Sequence, residues 1–125
     1  MRSVLSALSR WPRPLRVGLY ALACGVLLYL TLAPEKEVPG VGLVWDKAEH
    51  AVSWAVLTGA GLLLSTRRRW AIGAFAFVFG ALIEVLQANM GLGRDGNWQD
   101  LAADSAGIVA AYLVWAPMRR WGWVR

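Results

Sequence analysis

The chain reads as an all-α integral membrane protein: an up-down four-helix bundle with both termini cytoplasmic and a short N-terminal interfacial helix. Three observations lead there. Hydrophobic residues make up 58% of the sequence and charged residues 17%, whereas soluble domains carry roughly 45 to 50% apolar residues. The apolar residues fall into four runs long enough to approach the thickness of a hydrocarbon layer. Finally, the 13 Lys and Arg residues stand in blocks between those runs. Spread over a soluble surface, the net charge of +5 would suggest an acidic partner, but in blocks these residues act as topology signals, so no nucleic acid is expected. Residues 1–125 form one membrane domain.

The interfacial segment is 1–16, where Val4, Leu5, Leu8 and Trp11 share one helical face and Pro12, Pro14 and several arginines close it. Such a segment suits an anionic leaflet. The first span covers 17–33; its 17 uncharged residues reach about 26 Å at 1.5 Å per residue, and Pro34 stops it. This run exceeds the hydrophobic length of a secretory signal, so it is read as a retained helix. A loop ending at Trp45 precedes the second span, 46–65, whose acidic first turn is favoured by the helix dipole. Arg67, Arg68 and Arg69 separate it from the third span, 70–90. A glycine-rich turn then leads to Asp100 as N-cap of the fourth span, 101–116, with Pro117 as its stop. Most of the eight Trp residues lie near span ends, where amphipathic rings favour the headgroup level.

Orientation follows from the basic residues, because cytoplasmic segments carry the excess of Lys and Arg. Ten of the 13 fall in the N-terminal segment, the middle loop and the tail. The opposite side keeps only Lys36, Lys47 and Arg94. Cys24 is the sole cysteine, which precludes an internal disulfide and leaves the thiol a packing role.

Against this apolar background one polar constellation stands out. Glu84 is the only ionisable residue between Trp70 and Met90, and a carboxylate at mid-bilayer costs roughly 2.5 to 3.5 kcal/mol, so it should face protein and meet a partner. Asp46, Glu49 and His50 share a face of the second helix at i, i+3 and i+4, flanked by Lys47, with Trp54 one turn deeper. Glu84 and Gln87 lie on one stripe of the third, and Asp100 and Asp104 on one stripe of the fourth beside small residues that permit close approach. Counted from the outer helix ends, His50 and Asp104 lie roughly 6 Å deep and Glu84 roughly 9 Å. One outward-opening pocket accounts for Asp46, Lys47, His50, Glu84, Gln87, Asp100 and Asp104, with Arg94 as counter-charge whose planar fork also suits a phosphate or carboxylate. The stripe Ala51, Ala55 and Gly59 is placed on the far side of its helix, as a packing face or a seat for a partner subunit.

Four blocks in order carry a family resemblance: Asp46-Lys47-Ala48-Glu49-His50, Glu84-Val85-Leu86-Gln87, Arg94, and Asp100-Leu101-Ala102-Ala103-Asp104-Ser105-Ala106-Gly107. Across about residues 45 to 115 the chain resembles the VanZ-like family of small bacterial integral membrane proteins. The resemblance implies a multi-pass protein of the bacterial inner (cytoplasmic) membrane. It also implies a link to glycopeptide resistance, since the founding member is associated with teicoplanin. Many relatives carry Asn where Asp104 stands, and an aromatic where Ala51 follows the histidine.

The expectation is therefore a protein that binds a lipid-linked or amphiphilic cell-envelope molecule, or a glycopeptide-related ligand, among membrane lipids. Lys47 and Arg94 would meet its anionic group while His50 and the acids orient them. Three other readings stay open: a non-catalytic accessory subunit of a larger membrane complex, a membrane enzyme acting on an envelope lipid, and a charge cluster that only locks helices together. No two-His or Cys ligand spacing and no nucleotide-binding loop is present, so neither metal nor cofactor is expected.

Overall fold

Leu, Val, Ala and Phe dominate runs of about 20 residues, and in hydrocarbon such runs must satisfy their backbone groups internally, which favours helices. The computed structural model describes residues 2–32, 46–65, 68–90 and 98–124, and all regular structure among them is helical. The elements are α1 (Arg2–Leu8), α2 (Arg13–Leu32), α3 (Asp46–Leu64), α4 (Arg69–Met90) and α5 (Trp98–Arg120). Among the described residues, three helical segments are long and apolar enough to cross a membrane: Arg13–Leu32, Arg69–Asn89 and Trp98–Arg120. The chain is thus a membrane-helical protein. α3, at 19 residues, opens on the charged set Asp46, Lys47 and Glu49.

Three helix ends differ from expectation: α5 starts at Trp98 and not after Asp100, and the other two involve prolines. The interfacial helix stops at Leu8, and Arg13 and Arg16 belong to α2. Pro14 sits in the first turn of α2, where a missing N–H breaks no helical bond, so it opens this helix instead of closing the one before. At the other end, α5 runs through Pro117 to Arg120. The Pro117 carbonyl still accepts the Trp121 N–H at 2.9 Å, and the true stop is Gly122 at φ 72°. There the Trp123 N–H reaches the Met118 carbonyl at 2.8 Å and the Gly122 N–H reaches that of Arg119 at 3.0 Å. This is a Schellman cap, whose left-handed residue is best filled by glycine.

Cross-helix contacts fix the relative placement of the elements. Lys47 meets Asp100 and His50 meets Asp104, so α3 and α5 start side by side. Further along, a Cβ on Gly107 would lie 2.0 Å from the Ala51 carbonyl oxygen and 2.9 Å from the Ala55 nitrogen. The Ala51–Ala55 face therefore turns toward α5, beside His50, and not to the far side of the helix; only glycine at 107 lets the two backbones close in. Gly59, which has open space at its Cβ position, takes no part.

Helix α4 meets α3 in the opposite sense, with the Trp54 Nε1–H donating to the Ala76 carbonyl at 2.9 Å. Arg16 near the start of α2 donates to the Leu64 carbonyl at the end of α3, while Gln87 near the end of α4 donates to Thr31 at the end of α2. Leu27, Trp54, Leu57, Ala76, Ile83 and Ile108 form the core. Valines 52, 56, 78, 85, 109 and 114 are each more than half exposed, a distribution suited to lipid.

Candidate functional site

Glycine and alanine on the α3–α5 contact bring one turn of each helix together, and Lys47, His50, Asp100 and Asp104 project into the shared space. Asp100 is an ion partner, not an N-cap: α5 already begins at Trp98, and the Asp100 carboxylate bonds to the Lys47 ammonium. The same carboxylate lies 3.8 Å from His50 Nε2, and Asp104 Oδ1 lies 2.8 Å from His50 Nδ1. The imidazole is therefore bracketed by two aspartates, one at each ring nitrogen. Glu84 reaches this group from α4: one ligand atom each from His50, Glu84 and Asp104 fit within 4.8 Å of one another, and all three residues are buried.

Exposure separates an accessible rim at Lys47 from an enclosed interior. The Lys47 side chain is 24% exposed, Asp100 6%, His50 9% and Asp104 0%. An external molecule meets Lys47 first, and Asp104 is reached only through its neighbours. Gly80 makes room for this depth, since a Cβ there would lie 2.8 Å from Asp104 Oδ2 and 3.0 Å from Trp54 Nε1.

Trp54, fully buried, floors the cluster. Its ring stacks beneath His50 with centroids 6.0 Å apart and planes 20° apart, and Phe79 continues the stack at 6.1 Å. Phe75 and Tyr20 extend the aromatic column further. Aromatic pairs in such offset arrangements gain about 0.5–1.5 kcal/mol beyond their buried area, so the histidine stands on a stiff support.

The structure thus gathers Lys47, His50, Glu84, Asp100 and Asp104. Gln87 takes a different partner: it is buried, but its amide donates to the Thr31 carbonyl at 2.7 Å and so ties α4 to α2. Asp46 opens α3, its side chain lying outside the described residues, as does Arg94 entirely. Two contributors escape the sequence reading. Thr31 acts only through its backbone, which no side-chain pattern advertises. Tyr112 on α5 accepts the Gly73 N–H at 2.9 Å and donates to the Arg69 carbonyl, anchoring α5 to the first turn of α4; a tyrosine within a span next to a glycine on the neighbouring helix is the available signal.

Chemically, the cluster offers an imidazole oriented by a carboxylate, a second carboxylate on the opposite nitrogen and an ammonium at the rim. One histidine with two carboxylates is also a donor set that several divalent ions accept. Comparison with protein-family models, curated proteins and solved structures gives no match for the chain.

Proposed function

We propose that this is a VanZ-like protein of the bacterial inner membrane that binds a lipid-linked or amphiphilic cell-envelope molecule at the mouth of the α3–α4–α5 cluster. In this reading α2 to α5 cross the membrane as an up-down bundle with both termini cytoplasmic, the arrangement that the basic blocks favour. The observation that carries it is a connected charged group with a part-exposed ammonium, Lys47, at its rim and buried Asp100, His50 and Asp104 behind it. Charged groups are retained in an apolar bundle at substantial cost, and such retention marks function more often than stability.

Lys47 is the group an incoming anion meets. A phosphate or carboxylate at the rim competes with Asp100 for the ammonium, and Arg94, which the charge pattern of the sequence assigns to the same outer side, would supply a second cation. Released from Lys47, the Asp100 carboxylate turns to the nearby His50 Nε2, so occupancy at the rim is felt by the imidazole and through it by Asp104. The ligand's hydrocarbon lies along the exposed apolar flanks of the helices. A link to glycopeptide resistance follows if the bound molecule is a cell-wall precursor lipid.

Binding of farnesyl diphosphate, a short anionic isoprenoid, to the protein in nanodiscs tests the reading. Lys47→Gln, whose amide can still donate to Asp100, and Arg94→Gln should each weaken binding about tenfold or more, as expected for losing a charge-assisted contact. Unchanged affinity in both well-folded variants would overturn it.

A catalytic reading has one specific observation in its favour: the 2.8 Å His50–Asp104 contact holds the imidazole as an oriented acid or base. Turnover of a polyprenyl diphosphate that disappears in His50→Gln but persists in Val85→Ala, on the exposed face of α4, would favour it over simple binding. An accessory subunit instead predicts a stoichiometric protein partner on gentle extraction.

A further inference from the structure

At the opposite end of the bundle from the His50 cluster, α2, α3 and α4 diverge around an open groove of about 980 Å³. Its mouth carries Arg13, Arg16 and Arg68, its wall is apolar with Val17, Cys24 and Phe75, and none of the lining residues is acidic. We infer that this groove seats one anionic phospholipid of the surrounding leaflet, its phosphate on the arginines and one acyl chain along the wall. This inference is independent of the proposed function, because it uses none of the same residues.

Charge and shape argue together. Arg16 is held in place by donating Nε–H to the Trp11 carbonyl at 2.9 Å and Nη1–H to the Leu64 carbonyl at 2.8 Å, so its guanidinium is already ordered before a ligand arrives. Preordering lowers the entropic cost of binding. Neither Arg13 nor Arg68 enters an ion pair among the described residues, and both are exposed. Guanidinium groups bind phosphate through paired N–H donors and are weakly hydrated, which suits the headgroup level. A bare phosphate would leave the apolar wall uncovered, whereas a diacyl lipid covers both parts. The volume also lies at the upper end of the range for small-molecule sites.

Topology alone would require only a positive rim, with charges interchangeable around it. The groove makes a sharper demand, that Arg13 and Arg68 matter more than arginines elsewhere. Each neutralised groove arginine should weaken phosphatidylglycerol retention about fivefold, and both together about thirtyfold.

The test uses the full-length protein in nanodiscs of phosphatidylcholine, with or without phosphatidylglycerol. Retained lipid is read by native mass spectrometry and groove access by maleimide labelling of Cys24, the only thiol. Phosphatidylglycerol should be retained over phosphatidylcholine and should slow Cys24 labelling. Arg13→Gln/Arg68→Gln should abolish both effects, and Arg10→Gln/Arg120→Gln, with equal charge loss outside the groove, should preserve them. Ala21→Phe, which fills the groove without altering charge, should also release the lipid and supplies a second test if the arginine variant unfolds. Equal loss in both arginine double variants would mean diffuse attraction and overturn the proposal. So would labelling of Cys24 that ignores phosphatidylglycerol, or displacement of the lipid by inorganic phosphate.

Discussion

Gly107 on α5 lies against the backbone of Ala51 on α3, so close that a methyl group at 107 would come within 2.0 Å of the Ala51 carbonyl oxygen. Backbone cannot swing aside as a side-chain tip does, so Gly107→Ala must pry the helices apart. Overpacking commonly costs about 1–3 kcal/mol, and this substitution should reach the top of that range. The same separation would stretch the His50–Asp104 contact. Thermal unfolding in detergent measures the loss, and binding of farnesyl diphosphate should fall with it.

Lys47 and Asp100 should respond unequally to mutation. Lys47→Met takes the ammonium from a carboxylate whose side chain is only 6% exposed and leaves it the longer 3.8 Å approach to His50 Nε2, whereas Asp100→Asn leaves an ammonium that is 24% exposed and can turn toward water. Breaking a buried pair is expensive and breaking an exposed one is cheap. The expected costs are about 1–3 kcal/mol for Lys47→Met and under about 1 kcal/mol for Asp100→Asn. Combining Lys47→Met with Asp100→Leu should recover part of the larger loss. A double-mutant cycle closed with the Asp100→Leu single variant reads the coupling on unfolding midpoints, and a loss in Asp100→Asn as large as that in Lys47→Met would refute the asymmetry.

Tyr112 places its hydroxyl across Arg69 C=O and Gly73 N–H, the pair that an uninterrupted helix joins directly. Tyr112→Phe removes the bridge but leaves two groups that are natural partners, so the loss should stay near 0.5–1.5 kcal/mol. Gly73→Ala should cost more, because its Cβ would sit 2.7 Å from the Tyr112 ring and 2.9 Å from the hydroxyl. Unfolding of the two variants side by side checks the ranking.

The convergence of His50, Glu84 and Asp104 is readable from spacing, since i, i+3 and i+4 repeats and a 1.5 Å rise place them on facing stripes at similar depth. Rotation about each helix axis is less readable. Ala51 and Ala55 face α5 because Gly107 receives them, a fact set by a residue more than 50 positions away. Asp100 has the look of a cap because local sequence cannot reveal that Lys47 claims its carboxylate. Pro117 has the look of a stop because a single lost hydrogen bond near a helix end is tolerable when Gly122 caps the chain five residues later. The groove near Arg13 is hidden for another reason: basic residues at span ends are fully accounted for by topology, and only the splay of three helices gives them a common cavity.

The glycines also offer a test of where polarity, and not packing alone, sets the sequence. At Gly25 and Gly59 an added Cβ meets nothing within 4 Å, so alanine should stabilise each helix by about 0.5–1 kcal/mol through its better propensity. Gly80 has equal reason to be alanine on propensity, yet its Cβ would press on Asp104 Oδ2 at 2.8 Å and on the Trp54 indole nitrogen at 3.0 Å. Asp104 is fully buried and committed to His50, so it can yield only by lengthening that contact. Gly80→Ala should therefore lower the unfolding midpoint while Gly25→Ala and Gly59→Ala raise it, and it alone should reduce farnesyl diphosphate affinity. A Gly80→Ala protein as stable as its parent, with undiminished binding, would show that the space beside Asp104 serves no purpose in the site.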